Sequence, residues 1–352
     1  MNLSSIDEFA LIRLLNGGKQ SATLVTAAGV ITGIGDDAAV VEASPGSHLI
    51  LTCDTMTEHI HFKQVTMRDE DIGYKAMASA VSDIAAMGGV PRFALVALSM
   101  PGGTAVERVQ AIYEGLYECA SRYGIAIVGG DTTAILGELT LTVTVIGETE
   151  QGKAKLRSTA QPGDAVFATG YLGRSAAGLD FLLGQNVPSG EWTVFPEQTE
   201  ALVQAHCRPE PQIEAGQVLQ RSGVCRALND VSDGLASEMW EIAEASGVGI
   251  DLIEERIPIA DELAAFARTQ GKDPLDYILY GGEDYQLVGT VPAGNAIELQ
   301  MKFKEAGLAL HVIGYVHAEG QGVRMVQNNG YIVPLAKHGY NHFSGADGKG
   351  GV

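Results

Sequence analysis

The chain has 352 residues, enough for about two domains, and 46% hydrophobic against 19% charged residues leaves material for a core in each. Its 43 acidic side chains outnumber 23 basic ones, and the formal charge of -20 repels a polyphosphate backbone, which excludes nucleic acid as a partner but not a metal-chelated small phosphate. Cys53, Cys119, Cys207 and Cys225 lie far apart with no C-x-x-C pair, which argues against a zinc site or a disulfide framework and for reduced thiols in the cytoplasm.

The first residues, MNLSSIDEFALIRLLNGG, carry charges among their apolar positions and predict an amphipathic helix rather than a secretion signal. No apolar run reaches the roughly 18–20 residues of a membrane span. SHLILTCD and FALVALSMP predict strands, ERVQAIYEGLYECASRYG an amphipathic helix, then IAIVGGD and LTLTVTVIGE two more strands, the last alternating threonine with apolar residues. TEQGKAKLRSTAQPGD is polar and rich in turn formers, so a domain boundary is expected there. A second cycle follows with strand AVFATG, loop YLGRS and helix AAGLDFLLG, a surface loop over NVPSGEWTVFPEQTE, helix DGLASEMWEIAEASG, strands GIDLI and YQLVGTV, and helix AIELQMKFKEAG. The fold class expected is α+β, with mixed α/β domains over 1–150 and 151–343 and a disordered tail over 344–352.

The aspartates concentrate in a few places. Asp36 and Asp37 sit in GIGDDAAVV, and Asp54 and Asp131 are expected just beyond the carboxyl ends of strands, where α/β proteins often bind ligands. Asp83 lies in the helical stretch YKAMASAVSDIAAMGG, whose small neighbours offer it few partners, and an unpaired buried carboxylate is costly. Asp230 and Asp233 bracket Ser232 at an apparent helix start, where capping alone would explain them; an Asx-turn would explain Asp36 and Asp37, and plain loop positions Asp54 and Asp131. Taken together, several acidic groups at strand ends and helix starts suit Mg²⁺ bridging a phosphate, because hard cations choose carboxylates, water and phosphate oxygens. No Walker loop, dinucleotide glycine motif or protein-kinase signature offers another phosphate cradle.

The ordered motifs GIGDDAAVV, TCDTMTEHIHF, GYKAMASAVSDIAAMGGVPRF, GGDTT, LRSTAQPGD, TGYLGRSAAGLDFL, HCRPEPQIEAG, DVSDGLASE, YGGEDYQL and GYNHF resemble those of the thiamine-monophosphate kinase family, from about residue 4 to residue 343. The wider superfamily includes aminoimidazole-ribonucleotide synthetase, selenophosphate synthetase and a hydrogenase-maturation protein. The resemblance implies two α+β domains and a homodimer whose amino-terminal halves pair near bound ATP. It implies Asp37, Asp54, Asp83, Asp131 and Asp230 as Mg²⁺ ligands, with Asp233 beside the transferring phosphates and Thr52 at a metal-contacting position. Cys53 stands where the family has Ser or Thr, and a hard cation would not choose its thiol. Tyr113, Gly130, Asp131, Arg157 and Ser232 are implied at the nucleotide, and His61, Glu283 and Tyr340 at thiamine monophosphate. An aromatic face suits a thiazolium cation and a carboxylate suits a pyrimidine amine, although taken alone these three read as a structural histidine, a turn glutamate and a core tyrosine.

The implied reaction passes the γ-phosphoryl group of ATP to thiamine monophosphate in line, with no covalent intermediate, as the last step to thiamine diphosphate. The acceptor is already an anion, so neutralising charge matters more than a general base. The resemblance makes Asp37 a ligand, and since successive residues of an extended segment point to opposite sides, Asp36 is given the turn, so Asp37→Asn should lower turnover and Asp36→Asn stability. The alternatives are another ATP-using synthetase of the superfamily, against which stand the lack of an amino-terminal Cys-Lys pair and of a carboxyl-terminal cysteine, and a non-catalytic acidic module that binds divalent cations.

Overall fold

The computed structural model describes residues 8–34, 38–184 and 197–337. Asp36, Asp37, Tyr340, most of the surface loop and the tail expected at 344–352 lie outside the described residues. The first part of the chain forms α1 (Glu8–Asn16), α2 (Ala22–Ala27), β1 (Val30–Thr32), β2 (Val40–Val41), β3 (Ser47–Thr57), α3 (Asp69–Ala86), β4 (Val90–Met100), α4 (Val106–Arg122), β5 (Ala126–Ala134) and β6 (Thr140–Glu150). The second forms β7 (Asp164–Thr169), α5 (Arg174–Gly184), α6 (Glu197–Cys207), α7 (Ile213–Ser222), β8 (Leu228–Asp230), α8 (Leu235–Ser246), β9 (Gly249–Ile253), α9 (Asp261–Gln270), α10 (Pro274–Tyr280), β10 (Leu287–Pro292), α11 (Ala296–Glu305), β11 (Leu310–His317), β12 (Gly322–Val326) and β13 (Ile332–Pro334). Among the described residues no helix is long and apolar enough to cross a membrane.

The two main sheets differ in how they are covered, and their sequences say why. One sheet runs β3-β6-β4-β5. In β6 the apolar Leu141, Val143 and Val145 are buried while Thr140, Thr142 and Thr144 are only half-buried, the period-two pattern of a sheet with one packed face. The other sheet runs β13-β12-β9-β11-β7-β10-β8, and β7 is buried at every position because helices cover both its faces. Val166 and Ala168 join the apolar cluster of Leu235, Met239 and Ile242, and Ala165 and Phe167 join that of Leu219, Leu299 and Phe303.

Helix α3 lies between the two sheets and is buried from Asp71 to Ala86 except at Asp83. Its small side chains permit this, and one glycine contact is especially close: a Cβ on Gly73 would sit 1.8 Å from the carbonyl oxygen of Ile112, and one on Gly115 of α4 1.8 Å from that of Glu70. The helices therefore touch backbone to backbone, which brings α3 against the sheet and leaves its other face to β8, α6 and α7 of the second part. The apolar cores are not divided strictly along the chain: Leu182, Val203 and Cys207 pack with the cluster built on α3 and α4.

Two expectations of placement need correction. Asp54 and Asp131 do not follow their strands but lie inside β3 and β5, opposite Val143 and Ala97 respectively. The ladder is made by backbone groups, so it runs on through a polar side chain wherever the neighbouring strand continues. Asp233 and Ser232 are not the caps of α8 either: the N-cap is Gly234, at φ 98°, and Asp230 ends β8.

Candidate active site

Residues 52, 54 and 56 of β3 pair with 145, 143 and 141 of β6, so Thr52 and Asp54 point to the helix-covered face. There they meet α3. Thr52 Oγ1 donates to Asp83 Oδ2, and on the adjoining position of the helix Ser82 Oγ donates to Asp230 Oδ2 at 2.7 Å. Three carboxylates from β3, α3 and β8 thus gather where the two parts of the chain meet. Burial, and then the neighbouring Asp83, push Asp54 up to about 6. Burial also raises Asp83, opposed by the Thr52 hydrogen bond and the charge of Arg157. Asp230 is raised by burial first and then by Asp83 and Asp54.

The cleft above them encloses about 690 Å³ and is lined by Asp54, Asp83, Asp230, Ser232 and Asp233 at one side, with His61 and Glu283 also on its wall. Thr57 N–H donates to His61 Nδ1 at 2.9 Å, which fixes the direction of the ring. Glu283 stands in the turn between α10 and β10 at φ 63°, and Tyr285 at φ 52°. Two side-chain-bearing residues in the left-handed region within three positions mark a turn held by its surroundings. Those surroundings are the carbonyls of Ser232 and Val231, which accept from Glu283 N–H at 2.8 Å and Tyr285 N–H at 2.9 Å.

Arg157 is held beside this cleft: its Nε donates to Asn229 Oδ1 at 2.8 Å and its Nη1 lies 3.1 Å from Glu241 Oε2. Asn229 Nδ2 also donates to Glu238, as do Ser232 Oγ at 3.3 Å and Asp233 N–H at 3.0 Å. Burial, then Glu241 and Asp230, push Glu238 far above the usual carboxylate range. Tyr113, Gly130 and Asp131 are elsewhere. They line a separate cavity of about 870 Å³ against β4, β5 and β6. Asp131 pairs with Ala97, and Ala97 with Thr142, which puts it on the sheet face opposite to Asp54. Gly130 admits no side chain, because a Cβ would lie 1.8 Å from the Val96 carbonyl oxygen. The Tyr113 hydroxyl is pushed up to about 12 by burial.

A hard divalent cation fits the cleft on its donor chemistry. A neutral hydroxyl returns about 1 kcal/mol net, against several kcal/mol for each buried ion left uncompensated. Thr52, Ser79 and Ser82, with the charge of Arg157 acting on Asp83, therefore do not offset three neighbouring carboxylates. Among the described residues no three His, Cys, Asp or Glu side chains converge closely enough to cage an ion by themselves. A cation here would take its remaining ligands from phosphate oxygens and water, the usual coordination of Mg²⁺.

Sequence reasoning missed Lys75, Ser82, His206 and Glu238. Lys75 is fully buried and donates to Glu283 Oε2 at 2.7 Å, and His206, 1% exposed, lies behind it. A lysine in GYKAMASAV reads as a solvated helix position; only the apolar run on both sides of it signals burial.

The sequence pattern described as "AIR synthase related protein, N-terminal domain" matches residues 35–149, and its C-terminal counterpart matches 161–327. A thiamine-monophosphate kinase of Bacillus subtilis (strain 168) is 41% identical over 341 residues, 96% of this chain and 100% of the relative. The crystal structure of thiamine-monophosphate kinase from Stenotrophomonas maltophilia K279a superposes with a TM-score of 0.80 at 33% identity, covering 91% of this chain and 96% of that one. A structure described as AaThiL complexed with AMPPCP and TMP superposes with a TM-score of 0.74 at 34% identity, covering 97% of this chain and 99% of that one. The motif order, the two-part α/β fold and this likeness over nearly the whole length agree: the chain belongs to the AIR synthase related proteins and, among them, to the thiamine-monophosphate kinases.

Proposed function

We propose that the protein transfers the γ-phosphoryl group of ATP to thiamine monophosphate, giving thiamine diphosphate and ADP, the last step of thiamine diphosphate biosynthesis. The observation that carries this reading is the cleft itself: carboxylates from both parts of the chain at one side and an oriented carboxylate, Glu283, on the same wall. A relative solved with AMPPCP and TMP supports the pairing of an adenine nucleotide with this acceptor.

In this reading Asp54, Asp83, Asp230 and Asp233 hold Mg²⁺, with Thr52 orienting Asp83, and Asp37 completes the set from outside the described residues. The cation would neutralise charge on two phosphate groups that otherwise repel each other. The chain's own residues do the rest. Arg157 adds a fixed positive charge near Asp83, His61 and Glu283 hold the acceptor, and Ser232 lines the phosphate side. Tyr340 is assigned to the thiazolium ring, and Tyr113, Gly130 and Asp131, on the sheet face opposite the carboxylate cluster, to the nucleotide bound at the cleft of a paired copy. The acceptor phosphate needs no base to become a nucleophile, so transfer is direct.

Residues 1–150 serve nucleotide, cations and pairing, and residues 151–343 complete the cleft. A homodimer is supported by the open face of the β3-β6-β4-β5 sheet, where Leu49 and Leu51 are 53% and 68% exposed. Four free cysteines suit a cytoplasmic protein. ADP formation from MgATP, assayed with thiamine monophosphate, with thiamine, and with no acceptor, tests the reading: ADP should form with the monophosphate alone and no labelled residue should be trapped from γ-labelled ATP. Equal ADP release without acceptor would overturn it.

A further inference from the structure

Lys75 has no part in the chemistry above, yet it is 0% exposed, and removing an ammonium from water is costly unless its partners are well placed. Packing alone would favour an apolar side chain of the same length. Its partners come from the other part of the chain. Nζ donates to Glu283 Oε2 at 2.7 Å and stands 3.4 Å from His206 Nδ1, which Ser175 Oγ also approaches at 3.2 Å. Burial and the charge of Lys75 push His206 far below the usual range, so the ring is neutral; an ammonium can only donate, so Nδ1 facing it is the accepting nitrogen. Glu283 is thus the only carboxylate bonded to Lys75 among the described residues, and it sits in the turn held at φ 63°.

The helix adds a second relation. Lys75, Ser79, Ser82 and Asp83 follow the i, i+4, i+7, i+8 spacing and share one face of α3. Lys75 and Asp83 are about 12 Å apart along the axis. One end of a rigid, buried helix grips the Glu283 turn and the other carries the carboxylate cluster.

We propose that Lys75 is a positioning residue for the acceptor: it engages Oε2 of Glu283, leaves Oε1 as the one oxygen offered to a donor in the cleft, and through α3 sets that oxygen's distance from the phosphate-binding carboxylates. This rests on the cleft being the thiamine monophosphate site. The donor it fits is an exocyclic amine on a planar heterocycle, which needs one directed acceptor rather than a freely turning carboxylate.

The test is steady-state kinetics on the full chain with Lys75→Met, Glu283→Gln and the double variant. Lys75→Met should raise KM for thiamine monophosphate about tenfold or more, as loss of an orienting charged hydrogen bond does, with KM for ATP within about twofold and kcat within about threefold. In the double variant KM for thiamine monophosphate should equal that of Glu283→Gln, because Lys75 has nothing left to orient. A Lys75→Met enzyme with unchanged KM but lower Tm and kcat would overturn the proposal, as would effects that multiply in the double variant. Should Lys75→Met alone not fold, the double variant buries no unpaired charge, and its comparison with Glu283→Gln decides. Failure of the functional reading itself is seen separately, as a wild-type enzyme that forms no ADP in response to thiamine monophosphate.

Discussion

Asp54 and Asp131 belong to one sheet, on its two edge strands, and face opposite sides of it. On the side of Asp54 the sheet is covered by α3, and the carboxylate shares its space with Asp83 and, across the helix, Asp230. On the side of Asp131 the sheet is covered only in part: Phe93, Ala126 and Val128 pack with Ala28 and Val30, while Leu49, Leu51 and Leu95 stay exposed, the last lining a cavity of about 870 Å³. The first environment crowds like charges and leaves them in want of a cation; the second leaves apolar surface in want of a partner. A single sheet thus presents two unlike faces, crowded carboxylates under the helix and exposed apolar side chains on the other side.

Asp54→Asn gives the hardest test of that division. It keeps the side-chain shape and removes one of three crowded charges, so turnover should fall about 100-fold or more while Tm holds or rises slightly, since a repulsion is relieved. Asp131→Asn should instead raise KM for ATP and leave KM for thiamine monophosphate near the wild-type value. Wild-type turnover of the Asp54→Asn enzyme at saturating Mg²⁺ would remove Asp54 from the site, and matching kinetic effects in the two variants would erase the distinction between faces.

The covered face was easier to read from sequence than the open one. Asp83 stands out in YKAMASAVSDIAAMGG because almost every neighbour is small or apolar, and a charge there must find a partner across a packing surface. The strand positions of Asp54 and Asp131 were not legible, because a ladder extends through polar residues only if a neighbouring strand runs alongside, and that neighbour is β6 for Asp54 and β4 for Asp131. The separation of Asp131 from Asp54 is a matter of register: residues that share a type and a motif land on opposite faces when their partners in the ladder differ by one position. Lys75 was illegible for the same kind of reason. Its carboxylate partner is 208 residues away and its imidazole neighbour 131, so no local pattern distinguishes it from a solvated lysine.

Leu51→Lys probes the open face. At 68% exposure the substitution costs the fold little, but it puts a charge on the surface assigned to pairing. The variant should run at monomer mass in light scattering and show KM for ATP raised about tenfold. A dimer of wild-type stability would show that this face is not where copies meet.

The smallest effect is thermal and follows from the charge of the covered face. Asp54 titrates at about 6 in the native chain against the usual 3.8, so between those values the native state binds more protons than the unfolded one. The group therefore favours the native state most at low pH and loses that contribution as pH rises through 6. A cation at the same carboxylates competes with the proton and replaces it. Saturating Mg²⁺ should raise Tm by about 5 °C near pH 7.5 but by only about 1 °C near pH 5, and Asp54→Asn should flatten the difference. Equal gains at both pH values in the wild-type protein would mean that Mg²⁺ binds somewhere other than the face under α3.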